Sequence, residues 1–156
     1  MDYFLIDLYK TNYNPVLSQD ELYTKGNKYI SPENLEFQRL IKERDKLIFI
    51  YPIWWGSMPA ILKGFLDRVF TPNFGFYYKS RIPIGLLKDK RALVFSTSGA
   101  PGIYNLLILN RFTRPLTKDV LRFCGIRSKS LIIGSAFNIE KRDISRKVLK
   151  SLDKFI

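Results

Sequence analysis

Two short stretches carry the residue types best suited to holding a small ligand. The first is Pro52–Ile53–Trp54–Trp55–Gly56, in which two adjacent indoles directly follow an apolar run. Large aromatics left at a surface mark contact sites, and a pair of them suits a flat aromatic ligand. The second is Ser96–Thr97–Ser98–Gly99–Ala100–Pro101–Gly102, followed by Tyr104. It offers hydroxyls, small side chains and accessible main-chain N–H groups, a set able to read carbonyls and ring nitrogens. Each stretch also has a purely structural use. The tryptophans could instead cover a helix end or an oligomer contact. The Ser/Thr/Gly stretch would equally form a strand-to-helix turn with a capping hydroxyl.

Composition narrows the chemistry further. The 156 residues contain no histidine, which removes His-based triads, His general acids and His metal ligands. Cys124 is the one cysteine, so no internal disulfide is possible, and neither a zinc site nor any other metal site is expected. A reducing, cytoplasmic setting is expected on the same ground. The net charge is +12, and it is unevenly placed. Residues 1–78 carry 9 basic and 9 acidic side chains, whereas residues 79–156 carry 17 and 5. Such asymmetry can mark a polyanion-binding face, but the basic residues are dispersed and no nucleic-acid motif accompanies them. A Lys-rich surface with no nucleic-acid partner is therefore expected. The apolar runs are too short to span a bilayer, and MDYFLIDLYK reads as a strand and not as a signal peptide.

The elements that must position the two stretches follow from periodicity. Residues 3–9 are apolar and aromatic and read as a strand. Residues 10–31 are polar, with turn signals at Asn14–Pro15 and Gly26–Asn27, and read as a long loop. Ser31–Pro32 starts a helix, Ser31 as N-cap, with Leu35, Leu40 and Ile41 as its apolar face. Residues 46–51 (KLIFIY) form an almost wholly apolar strand, expected to be covered on both faces. A helix from about Pro59 places Met58, Ile61, Leu62, Phe65, Leu66 and Val69 inward, with Lys63 and Asp67 one turn apart outside. Residues 71–90 read as irregular and 91–97 as a second buried strand. A helical stretch to about Phe123 is interrupted near Pro115 and stopped by Gly125. Residues 129–134 make a last strand, and Asn138 caps a final helix with Ile144, Val148, Leu152 and Phe155 inward. Strands alternating with helices in one 1–156 domain imply an α/β fold with a parallel sheet. In such sheets, ligands sit beyond the carboxyl ends of the strands, where both stretches fall.

YPIWWGSMPAILKGFLDRVFTPNFGFYY (51–78) closely resembles the signature of the NAD(P)H:quinone reductases, a flavodoxin-like family that includes diaphorase-type and drug-activity-modulator or potassium-efflux-ancillary proteins. GLLKDKRALVFSTSGAP (85–101) and LRFCGI (121–126) continue the match, and residues 4–17 are similar to the family's second strand and following loop. The resemblance implies a three-layer flavodoxin-like sandwich. It also implies a flavin, FAD or FMN, with NAD(P)H as hydride donor and a quinone or similar acceptor. Pro52, Ile53, Trp54 and Trp55 would lie against the isoalloxazine, and Thr97, Ser98 and Gly99 at its N1 and O2 edge, where donors favour the reduced form. Tyr104 would be the catalytic residue, stabilising charge during hydride transfer. Phe76 and Tyr78 would close over the substrate from the partner subunit of a homodimer, or alternatively serve as packing. Two departures stand out. The histidine that partners the tyrosine in diaphorase-type enzymes is missing, and Tyr104, backbone donors or the basic residue Arg111 could compensate. Met1 also stands at the equivalent of the second strand, so the first β-strand and helix, with their phosphate loop, are expected to be absent. That leaves open a misassigned start, a degenerate fragment, or direct pairing of 3–9 with 46–51. The expected function is a ping-pong, two-electron NAD(P)H:quinone oxidoreductase. The alternative is a non-catalytic remnant or regulatory partner that keeps the fold without tight flavin binding.

Overall fold

The computed structural model describes residues 3–22, 24, 26, 29–101, 103, 111–136 and 140–155. Within them the elements are α1 (Pro32–Lys42), β1 (Lys46–Pro52), α2 (Ala60–Val69), β2 (Phe76–Lys79), β3 (Ile82–Gly85), β4 (Arg91–Thr97), β5 (Arg127–Ile133) and α3 (Lys141–Asp153). A 3-10 turn at Gln19–Glu21 and a π-helical stretch at Pro115–Leu121 complete them.

β1, β4 and β5 form a parallel sheet in the order β1-β4-β5. Central β4 is buried from Ala92 to Ser96, as its continuous apolar run demands. Its alternating side chains feed two cores. Ala92 and Val94 join Phe37 and Ile41 of α1 and Phe65, Leu66 and Val69 of α2. Leu93 and Phe95 meet Leu131 of β5, Val148 and Leu152 of α3, and Phe155. Helices therefore pack on both faces of a parallel sheet, the expected three-layer α/β arrangement.

The helix signals read from sequence fall where the helices are. Ser31 Oγ accepts the Asn34 N–H at 3.3 Å and Pro32 opens α1. The buried face of α1 is nevertheless Phe37, Gln38 and Ile41, with Leu35 exposed. Gln38 is inward because its amide donates to Val69 O at 2.8 Å and Thr71 Oγ1 at 3.0 Å, tying α1 to the end of α2. Pro59 precedes α2, whose outer Lys63 and Asp67 pair at 2.6 Å. The π-helical stretch begins at Pro115, where an interruption was expected, and Gly125, at φ +90°, ends the turn after it. Glu140 holds the N-cap position of α3, and Asn138 lies outside the described residues.

Three expectations fail, each for a physical reason. Residues 3–7 are not a strand: they join no ladder, and the chain turns at 8–12, where Asp7 Oδ1 accepts the N–H groups of Tyr9 and Lys10. An extended apolar segment becomes a strand only when a neighbour takes its main-chain groups, and among the described residues β1 pairs with β4 alone. For the same reason β1 is not covered on both faces, since Ile48 is 48% and Ile50 73% exposed. Residues 71–90 are not irregular throughout, because β2 and β3 form an antiparallel hairpin. Its turn residues Ser80 and Arg81 both have positive φ, +50° and +68°. Asn or Gly normally announces such a turn, so the sequence conceals it.

The long loop 10–31 is pinned by a buried polar network. Tyr13 Oη donates to Asn34 Oδ1 at 2.8 Å, Asn34 Nδ2 donates to Glu21 Oε1 at 3.3 Å, and Arg68 Nε meets the same carboxylate at 2.9 Å. Arg68 also donates to the Asn14 carbonyl and lies 5.4 Å from the centre of the Tyr13 ring. Burial alone would raise the pKa of Glu21, but the Ser18 main chain and Arg68 outweigh it and hold the carboxyl below its ordinary value.

Candidate functional site

The carboxyl ends of β1 and β4 meet. Pro52 is the register partner of Thr97, and Ile53 N donates to Thr97 O at 2.8 Å. From there the chain makes a tight two-residue hairpin. Trp54 N donates to Ser57 O at 2.9 Å and Ser57 N to Trp54 O at 3.0 Å. The two central residues, Trp55 and Gly56, have φ of +50° and +73°, the signs that a type I′ turn needs. A Cβ at Gly56 would also come within 3.1 Å of the Phe112 ring. For Trp55 the left-handed conformation costs roughly 1–2 kcal/mol. No packing offsets this, because its side chain is fully exposed, at 105%. A strained backbone that holds a bare indole in solvent marks a contact surface.

The second loop is built differently. Ser98 is buried, its N–H donating to Ile133 O at 2.9 Å and its carbonyl accepting from Ala136 N at 3.0 Å. Ser98 Oγ accepts the Ala100 N–H at 3.1 Å, so this hydroxyl holds the turn, the structural use foreseen for the stretch. Thr97 is half-buried and Gly99 exposed beside it. The two loops are thus joined by the Ile53 N to Thr97 O bond, with exposed indoles on the first and the half-buried Thr97 and exposed Gly99 on the second. Tyr104, the expected catalytic residue, lies outside the described residues.

Beneath the junction sit two groups that pattern reading missed. Tyr51 Oη and Ser96 Oγ are, among the described residues, the buried side-chain polar atoms without a hydrogen bond. They belong to register partners on β1 and β4. Burial pushes the Tyr51 phenol above its ordinary pKa, with Ser96 pulling the other way, so the phenol stays protonated. The signal was faint: a Tyr ending one apolar strand and a Ser near the end of the next.

Phe76 and Tyr78 are not brought to this site. Phe76 packs edge-on against Phe123 at 4.7 Å and Tyr78 at 5.6 Å. Gly85, at the end of the same hairpin, lies against the Cys124–Gly125 main chain, just before β5 begins. The hairpin therefore sits at the amino ends of the strands, about 20 Å from their carboxyl ends for a strand of this length. Cys124 is buried, and desolvation pushes its thiol up to about 12, which keeps it protonated and unreactive.

A family described as having a flavodoxin-like fold matches residues 3–155. The ribosyldihydronicotinamide dehydrogenase [quinone] of Rattus norvegicus is 36% identical over 143 residues, covering 78% of this chain and 62% of its own. The FMN-dependent NADH:quinone oxidoreductase of Coprothermobacter proteolyticus is 30% identical over 149 residues, covering 92% and 73%. The crystal structure of Smu.1420 from Streptococcus mutans UA159 superposes with a TM-score of 0.79 at 33% identity, covering 96% of this chain and 79% of that one. The chain spans 48%, 62% and 52% of the length of three curated relatives it matches. No described helix is long and apolar enough to cross a membrane. The chain belongs to the flavodoxin-like fold family, in the branch of the NAD(P)H:quinone oxidoreductases.

Proposed function

We propose that this protein is a flavin-dependent NAD(P)H oxidoreductase acting on quinones or similar electrophiles by a ping-pong route. The observation that carries the reading is the junction of the β1 and β4 loops, where Ile53 N bonds Thr97 O and a strained turn directly after it exposes two indoles. Bound there, FMN or FAD would supply the hydride-accepting and hydride-donating chemistry. Pro52, Ile53, Trp54 and Trp55 hold the ring face, and Thr97, Ser98 and Gly99 offer donors and small side chains at its edge. Tyr104 steadies charge as hydride moves. FMN is favoured by its part in the name of the Coprothermobacter relative. A single pocket takes nicotinamide and acceptor in turn, which is what makes the route ping-pong. A homodimer is proposed because Phe76 and Tyr78 sit at the far end of their own sheet and complete a site only from a second subunit. A cytoplasmic setting suits the lone buried thiol.

The test is to purify the chain with added FMN or FAD and follow NAD(P)H oxidation with a quinone. Bound flavin absorbance and quinone-dependent turnover that falls in Tyr104→Phe support the proposal. A colourless protein that stays apo sinks it. That result would support the second reading, a non-catalytic remnant or regulatory partner, which the bare Ile48 and Ile50 of a core strand favour.

A further inference from the structure

Residues 79–156 carry the chain's whole excess of positive charge, and part of that excess converges on one concavity. A groove of about 590 Å³ opens at the amino ends of the strands, between the end of the β2–β3 hairpin and the π-helical stretch. Lys88, Lys118 and Arg122 line it, on walls that include Ile84 and Phe123. Clefts of this size, mostly apolar with a few charged groups, are the usual form of a small-ligand site. The cations have fixed supports. Leu87 N donates to Cys124 O at 2.9 Å, which ties the residue before Lys88 to the end of the π-helical turn. Lys88 then crosses Gly125, where an added Cβ would fall 2.8 Å from Lys88 Cγ, so glycine is what lets the lysine stem lie so close. Lys118 and Arg122 stand four residues apart, and Arg122 N donates to Thr117 O at 3.2 Å across the wide turn, so the two share a side. Elsewhere on the chain exposed cations meet acids: Arg39 pairs with Glu36 and Glu43, and Lys63 with Asp67. Among the described residues Lys88, Lys118 and Arg122 form no ion pair, and Asp119, which lines the same groove, pairs with none of them. Like charges one turn apart repel, so the groove carries an electrostatic cost that a bound anion removes.

We propose that this groove binds a nucleoside diphosphate. Lys88 and Lys118 meet the phosphates as point charges, and the Arg122 guanidinium bonds two phosphate oxygens at once. The half-buried Phe123 ring, held edge-on by Phe76 at 4.7 Å, offers the base a stacking face beside Ile84. Two features select this class of ligand. A simple phosphate would neutralise the cations and leave the apolar wall unused. An uncharged aromatic would cover the wall and leave three cations facing one another. π-Helical turns are themselves frequent at functional sites. The groove lies at the opposite ends of the strands from the Trp54–Ser57 turn and the 97–99 loop, so it is a site apart from the proposed ring site of the same chain and does not rest on the oxidoreductase reading.

The experiment titrates the full chain with ADP, inorganic pyrophosphate and adenosine by calorimetry, at an ionic strength of about 0.01 M where screening is weak. Amide chemical shifts locate the binding. ADP binds one to one, roughly tenfold or more tighter than either fragment, with shifts centred on Lys88, Arg122 and Gly125. Arg122→Gln alters an exposed side chain, keeps the melting temperature and weakens ADP binding by roughly tenfold or more, since it removes a charge-assisted contact. Lys150→Gln removes the same charge from α3, which does not line the groove, and leaves ADP affinity nearly unchanged. Three results overturn the proposal: no saturable ADP binding at this ionic strength, either fragment binding as tightly as ADP, or equal losses in Arg122→Gln and Lys150→Gln, the mark of attraction to overall charge and not to a site. The titration uses neither flavin nor turnover, so its failure is separate from failure of the oxidoreductase reading.

Discussion

Gly56→Ala tests whether the Trp54–Ser57 turn sets the indoles. Gly56 sits at φ +73°, and an added Cβ would lie 3.1 Å from the Phe112 ring. The left-handed conformation costs an L-residue roughly 1–2 kcal/mol, and the ring must yield by a few tenths of an ångström. A penalty of that size shifts the closed turn against open forms by a factor of roughly 5–30. If flavin stacks only on the closed turn, its affinity falls by the same factor. Trp54 and Trp55 are the only tryptophans in the chain, so indole emission reports this turn alone. The expected result is altered emission, flavin binding weakened about 5–30-fold and little change in melting temperature, because the turn lies outside the core. Gly56→Asn, which tolerates the left-handed region but brings the same Cβ to the Phe112 ring, should lose less affinity than Gly56→Ala. Unchanged emission and wild-type flavin affinity in Gly56→Ala would refute the claim that this turn positions the indoles.

Two further outcomes follow from buried groups. In an open helix Gly→Ala gains about 1 kcal/mol, but a Cβ on Gly64 would fall 2.1 Å from Pro15 O. Gly64→Ala should therefore destabilise by about 1–3 kcal/mol, read as a Tm drop of about 2–4 °C per kcal/mol; a higher Tm contradicts the packing. At alkaline pH, desolvation raises Cys124 from 9.0 to about 12, and chiefly desolvation raises Tyr13 from 10.0 to about 12. Groups with raised folded pKa values contribute stability that is fully present below their unfolded pKa and lost as pH rises towards the folded one. The urea midpoint should fall progressively above about pH 9, less steeply at first in Cys124→Ala, and a flat midpoint to about pH 11 would contradict the burial.

What could be read from sequence was whatever depends on local order. KLIFIY, RALVFST and the Pro59 helix carry their own apolar period, and Trp54–Trp55 stood out by residue type alone. What could not be read depends on partners distant in sequence. Residues 3–9 have strand composition, yet a strand exists only in a ladder. Gly64 looks like a flaw in a helix until Pro15 is seen against it. Ser98 looked like a ligand donor, and its hydroxyl oxygen is also an acceptor that holds the Ala100 N–H.

The open strand and the candidate site are the same element. Ile50, whose side chain and main-chain edge lie bare, stands two residues before Pro52, and Ile53 begins the loop that sets Trp54 and Trp55. Of the two strands that carry the site, β4 is clamped by ladders on both sides and β1, among the described residues, by one. The indole loop therefore rests on the less restrained support, while the 97–99 loop rests on the rigid one. A ligand held between them gains from any contact that stiffens β1, because it then orders less on binding. Flavin binding should therefore slow amide exchange in β1 by a larger factor than in β4, and equal slowing in the two strands would show that the two loops rest on equally restrained supports.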